Sequence, residues 1–241
     1  MKSITKTDVD NDGDIDFIIG NLGMNNFYNP TTERPVNLIA KDFDNNGTLD
    51  PVMFAYFKES FENPTYKSFP VNFWGDLNGQ SPIFRAKYNS FKAYSRATIT
   101  SLFSNEELQN STKLTANYDK SIVLLNEGEG KFSHMPLPID AQVAPVNGSI
   151  TVDFNEDGYN DILLIGNNFG NEVFAGRNDA LNGLLLQNDG NGNFKSVSTS
   201  KSGFFVPGDA KSITTVKNSK NALPYYIVTQ NRDSIRIFQK N

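Results

Sequence analysis

The sequence predicts a mainly β protein, a partial β-propeller of about four blade-like units over residues 1–241 with a small helical insertion at about 58–118. Three observations lead there. One Asp-rich loop pattern occurs three times, each time between two short strand-like runs. A Gly-rich turn pattern occurs twice, each time after an apolar run that ends in Asn. The chain carries 19 Phe and 18 Gly, a balance that suits many short strands joined by turns.

The Asp-rich loops run Asp8-Val9-Asp10-Asn11-Asp12-Gly13-Asp14-Ile15-Asp16, Asp42-Phe43-Asp44-Asn45-Asn46-Gly47-Thr48-Leu49-Asp50 and Asp153-Phe154-Asn155-Glu156-Asp157-Gly158-Tyr159-Asn160-Asp161. Each has oxygen-bearing side chains at loop positions 1, 3, 5 and 9 and Gly at position 6. A hard cation needs several carboxylate and amide oxygens from a short loop, a backbone carbonyl at position 7, and a Gly where the backbone turns sharply. The expected ligands are Asp8, Asp10, Asp12, Asp14 and Asp16; Asp42, Asp44, Asn46, Thr48 and Asp50; and Asp153, Asn155, Asp157, Tyr159 and Asp161. Asp, Asn and Gly also form plain turns without metal. Recurrence at one spacing is what favours Ca²⁺. The second loop is expected to bind most weakly, because Asn46 replaces a carboxylate and Pro51 follows at once.

These are not EF-hands, which require a bidentate Glu at position 12 between two helices. Position 12 is Ile19, Met53 and Leu164. Apolar runs follow the loops, as in Phe17-Ile18-Ile19 and Ile162-Leu163-Leu164-Ile165, and strand-like runs such as Val36-Asn37-Leu38-Ile39-Ala40 precede them. Each loop therefore reads as the tip of a β-hairpin, with Ca²⁺ as a structural clamp.

The second pattern is Ser121-Ile122-Val123-Leu124-Leu125-Asn126-Glu127-Gly128-Glu129-Gly130-Lys131-Phe132 and its counterpart Gly183 to Phe194. An Asp hairpin plus an Asn-Gly hairpin makes four strands, one propeller blade. Residues 1–29 then hold an Asp hairpin whose outer hairpin is not visible. Residues 36–138 form a blade with the insertion, and residues 149–198 form the cleanest one. Residues 203–240 form a degenerate blade, where Lys211 in Gly208-Asp209-Ala210-Lys211 argues against metal. Within the insertion, Phe84, Tyr88, Phe91, Tyr94, Ile99, Leu102 and Phe103 recur at helical spacing, the pattern of a core stripe in short helices packed on a propeller face. Ser104-Asn105-Glu106-Glu107 reads as a helix start.

Net charge is −5, and no basic run suggests a nucleic-acid surface. No apolar stretch is long enough to span a membrane. Cys is absent, which excludes disulfides and thiolate metal sites. Weak Ca²⁺ loops suit an extracellular setting, where the ion is roughly millimolar. The first Asp loop follows Met1 too closely for a signal peptide, so the chain is expected to begin inside a structural unit. His134 is the one His, which leaves a Ser-His-Asp triad or catalytic zinc with little to work with. The segment from Gly166 to Asp179 is a candidate ligand surface carrying Arg177, or else an ordered connection in which Arg177 pairs with Asp179 or Glu172.

The Asp loops and their companion hairpins resemble FG-GAP/VCBS repeats. More narrowly the chain resembles the C-terminal part of Bacteroidetes VCBS-repeat proteins that carry an ASPIC/UnbV domain. Gly20-Asn21-Leu22-Gly23-Met24-Asn25, Ser90-Phe91-Lys92-Ala93-Tyr94, Gly176-Arg177-Asn178-Asp179-Ala180 and Ser202-Gly203-Phe204-Phe205-Val206-Pro207-Gly208 carry that likeness. The resemblance implies an exported, often lipid-anchored, surface protein, although this chain shows no export signal. The expected function is a Ca²⁺-stabilised binding or scaffold module engaging a protein or a glycan, with self-association through open first and last blades. The alternative from another class is a Ca²⁺-dependent polysaccharide lyase or hydrolase, which needs a base in a cleft.

Overall fold

The computed structural model describes residues 1–218 and 223–240; residues 219–222, inside the expected 203–240 unit, and residue 241 lie outside the described residues. In chain order the strands begin with β1 (Ser3–Thr7), β2 (Asp16–Gly20), β3 (Val36–Lys41), β4 (Asp50–Lys58) and β5 (Tyr66–Pro70). Five short helices follow: α1 (Trp74–Gln80), α2 (Pro82–Lys87), α3 (Phe91–Tyr94), α4 (Ile99–Leu102) and α5 (Asn105–Gln109). Then come β6 (Thr112–Ala116), β7 (Ile122–Asn126), β8 (Phe132–Pro136), β9 (Val146–Val152), β10 (Asp161–Gly166), β11 (Leu184–Asn188) and β12 (Phe194–Val197). The chain closes with α6 (Thr199–Ser202), β13 (Ala210–Val216), β14 (Tyr225–Gln230) and β15 (Arg236–Gln239). The protein is thus mainly β, with four antiparallel sheets. It divides into two compact units, residues 1–26 with 119–241, and residues 27–118.

The larger unit holds three sheets: β1-β2-β7-β8, β12-β11-β10-β9 and β13-β14-β15. The middle sheet is covered on both faces. Every residue of β10 is buried, and its side chains alternate between two cores as the strand period of two demands. Ile162 and Leu164 join Val9, Ile18, Val123 and Val146 in one core. Leu163 and Ile165 join Phe204, Ile213 and Val228 in the other. Hydroxyls stitch β1 to β9: Ser3 Oγ donates to the Val146 carbonyl (3.0 Å) and Thr5 Oγ1 to that of Ser149 (2.9 Å).

Strand pairing corrects the expected layout. The sequence places the β7–β8 hairpin in the 36–138 unit and shows no outer hairpin for the first Asp hairpin. In the structure β7 pairs with β2, with Phe17 opposite Leu124, Ile18 opposite Val123 and Ile19 opposite Ile122. That register sends Ile18 and Val123 into the same core. The first sheet is therefore complete at four strands, and residues 27–118 are inserted between its second and third strands in the sequence.

The smaller unit is the sheet β5-β4-β3-β6 with helices α1–α5. The segment expected as a helical insertion at 58–118 also contains β5 and β6, which pair with β4 and β3. The helices pack on this unit's own sheet: Leu77, Phe84, Leu102 and Phe103 share a core with Ile39, Phe43, Val52 and Phe54. Phe43 stacks on Phe103 with ring centroids 4.4 Å apart. Much of the aromatic stripe is core as read, but Phe91 is 70% exposed. The Ser104 helix start is a reciprocal capping box: Glu107 N–H donates to Ser104 Oγ (3.2 Å) and Ser104 N–H to Glu107 Oε2 (2.7 Å).

Because Leu164 has no exposed surface, Leu164→Ala is expected to cost about 2–5 kcal/mol in chemical denaturation. Leu49→Ala, at a loop residue that is 65% exposed, is expected to shift stability by no more than about 0.5 kcal/mol.

Candidate metal centres

The three Asp loops share one hydrogen-bonded frame. The position 9 aspartates, Asp16, Asp50 and Asp161, are buried and each opens the second strand of its hairpin. Their Oδ2 atoms accept the position 2 N–H groups of Val9 (2.8 Å), Phe43 (3.0 Å) and Phe154 (2.9 Å). The position 1 Oδ2 atoms of Asp8, Asp42 and Asp153 accept the position 6 N–H groups of Gly13 (3.1 Å), Gly47 (2.8 Å) and Gly158 (3.0 Å). Position 5 accepts from position 7: Asp14 to Asp12, Thr48 to Asn46 and Tyr159 to Asp157. The position 6 glycines have φ of 93°, 86° and 88°, a region other residues rarely enter.

In two loops the remaining oxygen of the position 9 carboxylate reaches the next hairpin. Asp16 Oδ1 accepts Asn126 N–H and Asp161 Oδ1 accepts Asn188 N–H, both at 2.8 Å. The amide that ends each apolar run is thus the point where the third strand locks to the loop. Sequence reading found the Asn pattern without this role. The first and third loops are also bound to each other. Asn188 Nδ2 donates to the Val9 carbonyl (2.7 Å), Asn160 Nδ2 to that of Asp8 (3.0 Å) and Asn11 Nδ2 to that of Gly158 (3.2 Å).

The side chains converge differently in each loop. Oxygens of Asp8, Asp10 and Asp16 lie within 4.8 Å of one another, and so do those of Asp42, Asp44 and Asp50. Asp12 and Asp14 are not in the first group. Asp8 Oδ1, Asp10 Oδ1 and Asp50 Oδ1 are buried and accept no hydrogen bond. Ser81, which sequence reading missed, donates through Oγ to Asp44 Oδ2 (2.8 Å). Among the described residues the third loop forms no such carboxylate triad. There Asn155 Nδ2 donates to Asp157 Oδ2 (2.6 Å), and Lys240 Nζ reaches the Asp153 carbonyl (3.3 Å) and Glu156 Oε1 (2.8 Å). The Tyr159 ring lies over Gly190. By carboxylate convergence the second loop therefore ranks with the first and ahead of the third.

Burial first, then the Asp12 and Asp16 charges, raise the pKa of Asp10. Burial first, then the Asp157 and Asp153 charges, raise that of Asp161 against the hydrogen bonds it accepts. Desolvated carboxylates pressed together are relieved by a proton or a cation. An all-oxygen set of this kind suits a hard cation such as Ca²⁺.

In the last sheet a buried carboxylate meets a lysine. Lys211 Nζ lies 2.5 Å from Oδ1 of Asp209, which is 2% exposed. Arg177 pairs neither with Asp179 nor with Glu172 but sits over the Phe169 ring, 5.1 Å from its centroid. His134 stands on the exposed side of β8. No protein-family model matches the chain, and no curated protein is significantly similar to it.

Lys211→Met leaves the buried Asp209 carboxylate with the Asn231 amide alone (3.2 Å) and is expected to cost about 1–3 kcal/mol in thermal denaturation. Adding Asp209→Asn should restore most of that loss. With chelator present, the raised Asp10 pKa means the folded state holds that proton more tightly than the unfolded chain. Its effect is absent below the ordinary value near 3.8 and erodes stability as pH rises through the raised value. The stability gain of Asp10→Asn over wild type is therefore expected to grow as pH climbs above about 4 in metal-free unfolding titrations.

Proposed function

We propose that the chain is a Ca²⁺-stabilised segment of an FG-GAP/VCBS-type β-propeller, serving as a binding or scaffold module of an exported bacterial surface protein with a protein or glycan partner. One observation carries this reading. Three loops repeat one hydrogen-bonded frame, and two of them gather carboxylates with buried oxygens that no protein donor satisfies. Groups of that kind are costly to bury unless something pairs with them. Asp8, Asp10 and Asp16 would hold one ion, and Asp42, Asp44 and Asp50 another. The ion's part is to tie two strands of a hairpin and offset crowded charge, so it is structural.

The order of the sheets supports the propeller reading. Two four-stranded antiparallel sheets and a three-stranded one follow one another in the larger unit, with adjacent sheets sharing a core. Self-association would use the free edge of β15, where Ile235 and Ile237 are exposed.

Calorimetry with Ca²⁺ is expected to show saturable binding, weakened by Asp10→Ala at the first loop and by Asp44→Ala at the second. A ligand that binds only the folded state adds about 2.7 kcal/mol at 100 times its dissociation constant. Excess chelator should therefore lower the melting temperature by several degrees. Superimposable melting curves with Ca²⁺ and with chelator would overturn the reading.

A further inference from the structure

The larger unit contains a cleft that no part of the proposed Ca²⁺ role uses. It lies between the middle sheet and β13-β14-β15 and has a volume of about 480 Å³, within the usual range for small-molecule sites. Its lining is part apolar and part polar. Leu163 and Leu185 come from the middle sheet, and Phe204 and Phe238, with ring centroids 4.8 Å apart, face them. Among the described residues the last sheet has three strands, β13-β14-β15.

Polar groups collect at two places. Tyr226 lines the cleft and is 8% exposed. Burial raises its pKa while the Lys240 charge lowers it, which places that ammonium close by. The second group is cationic. Helix α6 ends at Gly203, whose φ of 66° and N–H bond to the Thr199 carbonyl (2.8 Å) turn the chain. This turn sets Lys201 and Ser202 against the cleft. The Lys201 side chain forms no ion pair among the described residues. Lys240 also lines the cleft, and its partner Glu156 is 80% exposed, so solvent screens that pair and a second anion can share the ammonium.

We propose that this cleft binds a small amphipathic carboxylate of the fatty-acid type, with its chain along the Phe204 and Phe238 rings and its carboxylate at Lys201 and Lys240. Apolar walls alone would accept any oil. Two ammonium groups lining one site select an anionic head. The Ca²⁺ loops are not needed for this binding.

The test is calorimetry on the full chain with decanoate, below its micelle concentration, in parallel with decanol. Decanoate is expected to bind saturably with one molecule per chain. Decanol should bind at least about tenfold more weakly, as should decanoate to Lys201→Ala/Lys240→Ala, since a charged hydrogen bond lost amounts to about one power of ten in affinity. Lys240 also bonds the Asp153 carbonyl and Glu156, so the melting temperature of the variant is measured alongside, and the decanol arm, which needs no variant, stands independently of any loss of stability. The proposal is overturned if decanoate gives no saturable heat, if decanol binds as tightly, or if the double variant binds decanoate unchanged.

Discussion

A buried carboxylate at the end of each Asp loop organises everything around it. Asp16, Asp50 and Asp161 are each at most 1% exposed, a placement that would be prohibitive without dense hydrogen bonding. Backbone N–H groups supply it. The amide of position 2 closes the loop and at the same time aims Val9, Phe43 or Phe154 inward as a core plug or wall. In the larger unit a second amide arrives from the third strand, so the same side chain sets the register of the next hairpin. One residue type thus joins local turn geometry to sheet assembly.

The smaller unit and the degenerate sheet show what happens when part of that scheme is missing. Asp50 Oδ1 lacks the strand-end amide that Asp16 and Asp161 enjoy, and it stays buried without a donor. Asp209 meets the same shortage with a covalently tethered cation, Lys211. The contrast separates a buried carboxylate paired with a lysine of its own sheet from one whose second oxygen is left without a donor among the described residues.

The hairpins were legible in sequence because their information is local. A run of nine residues contains every group that makes the frame, and the Ser104–Glu107 cap needs only four. The convergence of ligands was less legible. Spacing gives Asp10 and Asp12 equal weight, yet only the former points into the group with Asp8 and Asp16. Pairing of β2 with β7 was not legible, since its determinants, Asp16 and Asn126, lie 110 residues apart. Strand β6 gave no alternation to read, because all five of its residues are exposed. The cleft between the last two sheets arises from residues spread over 152–240, which no single local pattern joins.

The chain leaves and rejoins the first sheet at adjacent points: Gly23 N–H donates to the Asp119 carbonyl (2.8 Å), and Asn26 Nδ2 to Asp119 Oδ2 (2.7 Å). This sets an order of assembly during synthesis. Strands β1 and β2 emerge before β7 and β8, and their sheet waits until all of residues 27–118 have been made. Closing so long a loop as free coil carries an entropy cost that grows with its length. A smaller unit that has already collapsed on its own aromatic core brings Asn26 and Asp119 together in advance, turning a distant pairing into a nearby one. The inserted unit then acts as a splint for the first sheet, and damage to its core would surface as slow closure of strands it never pairs with.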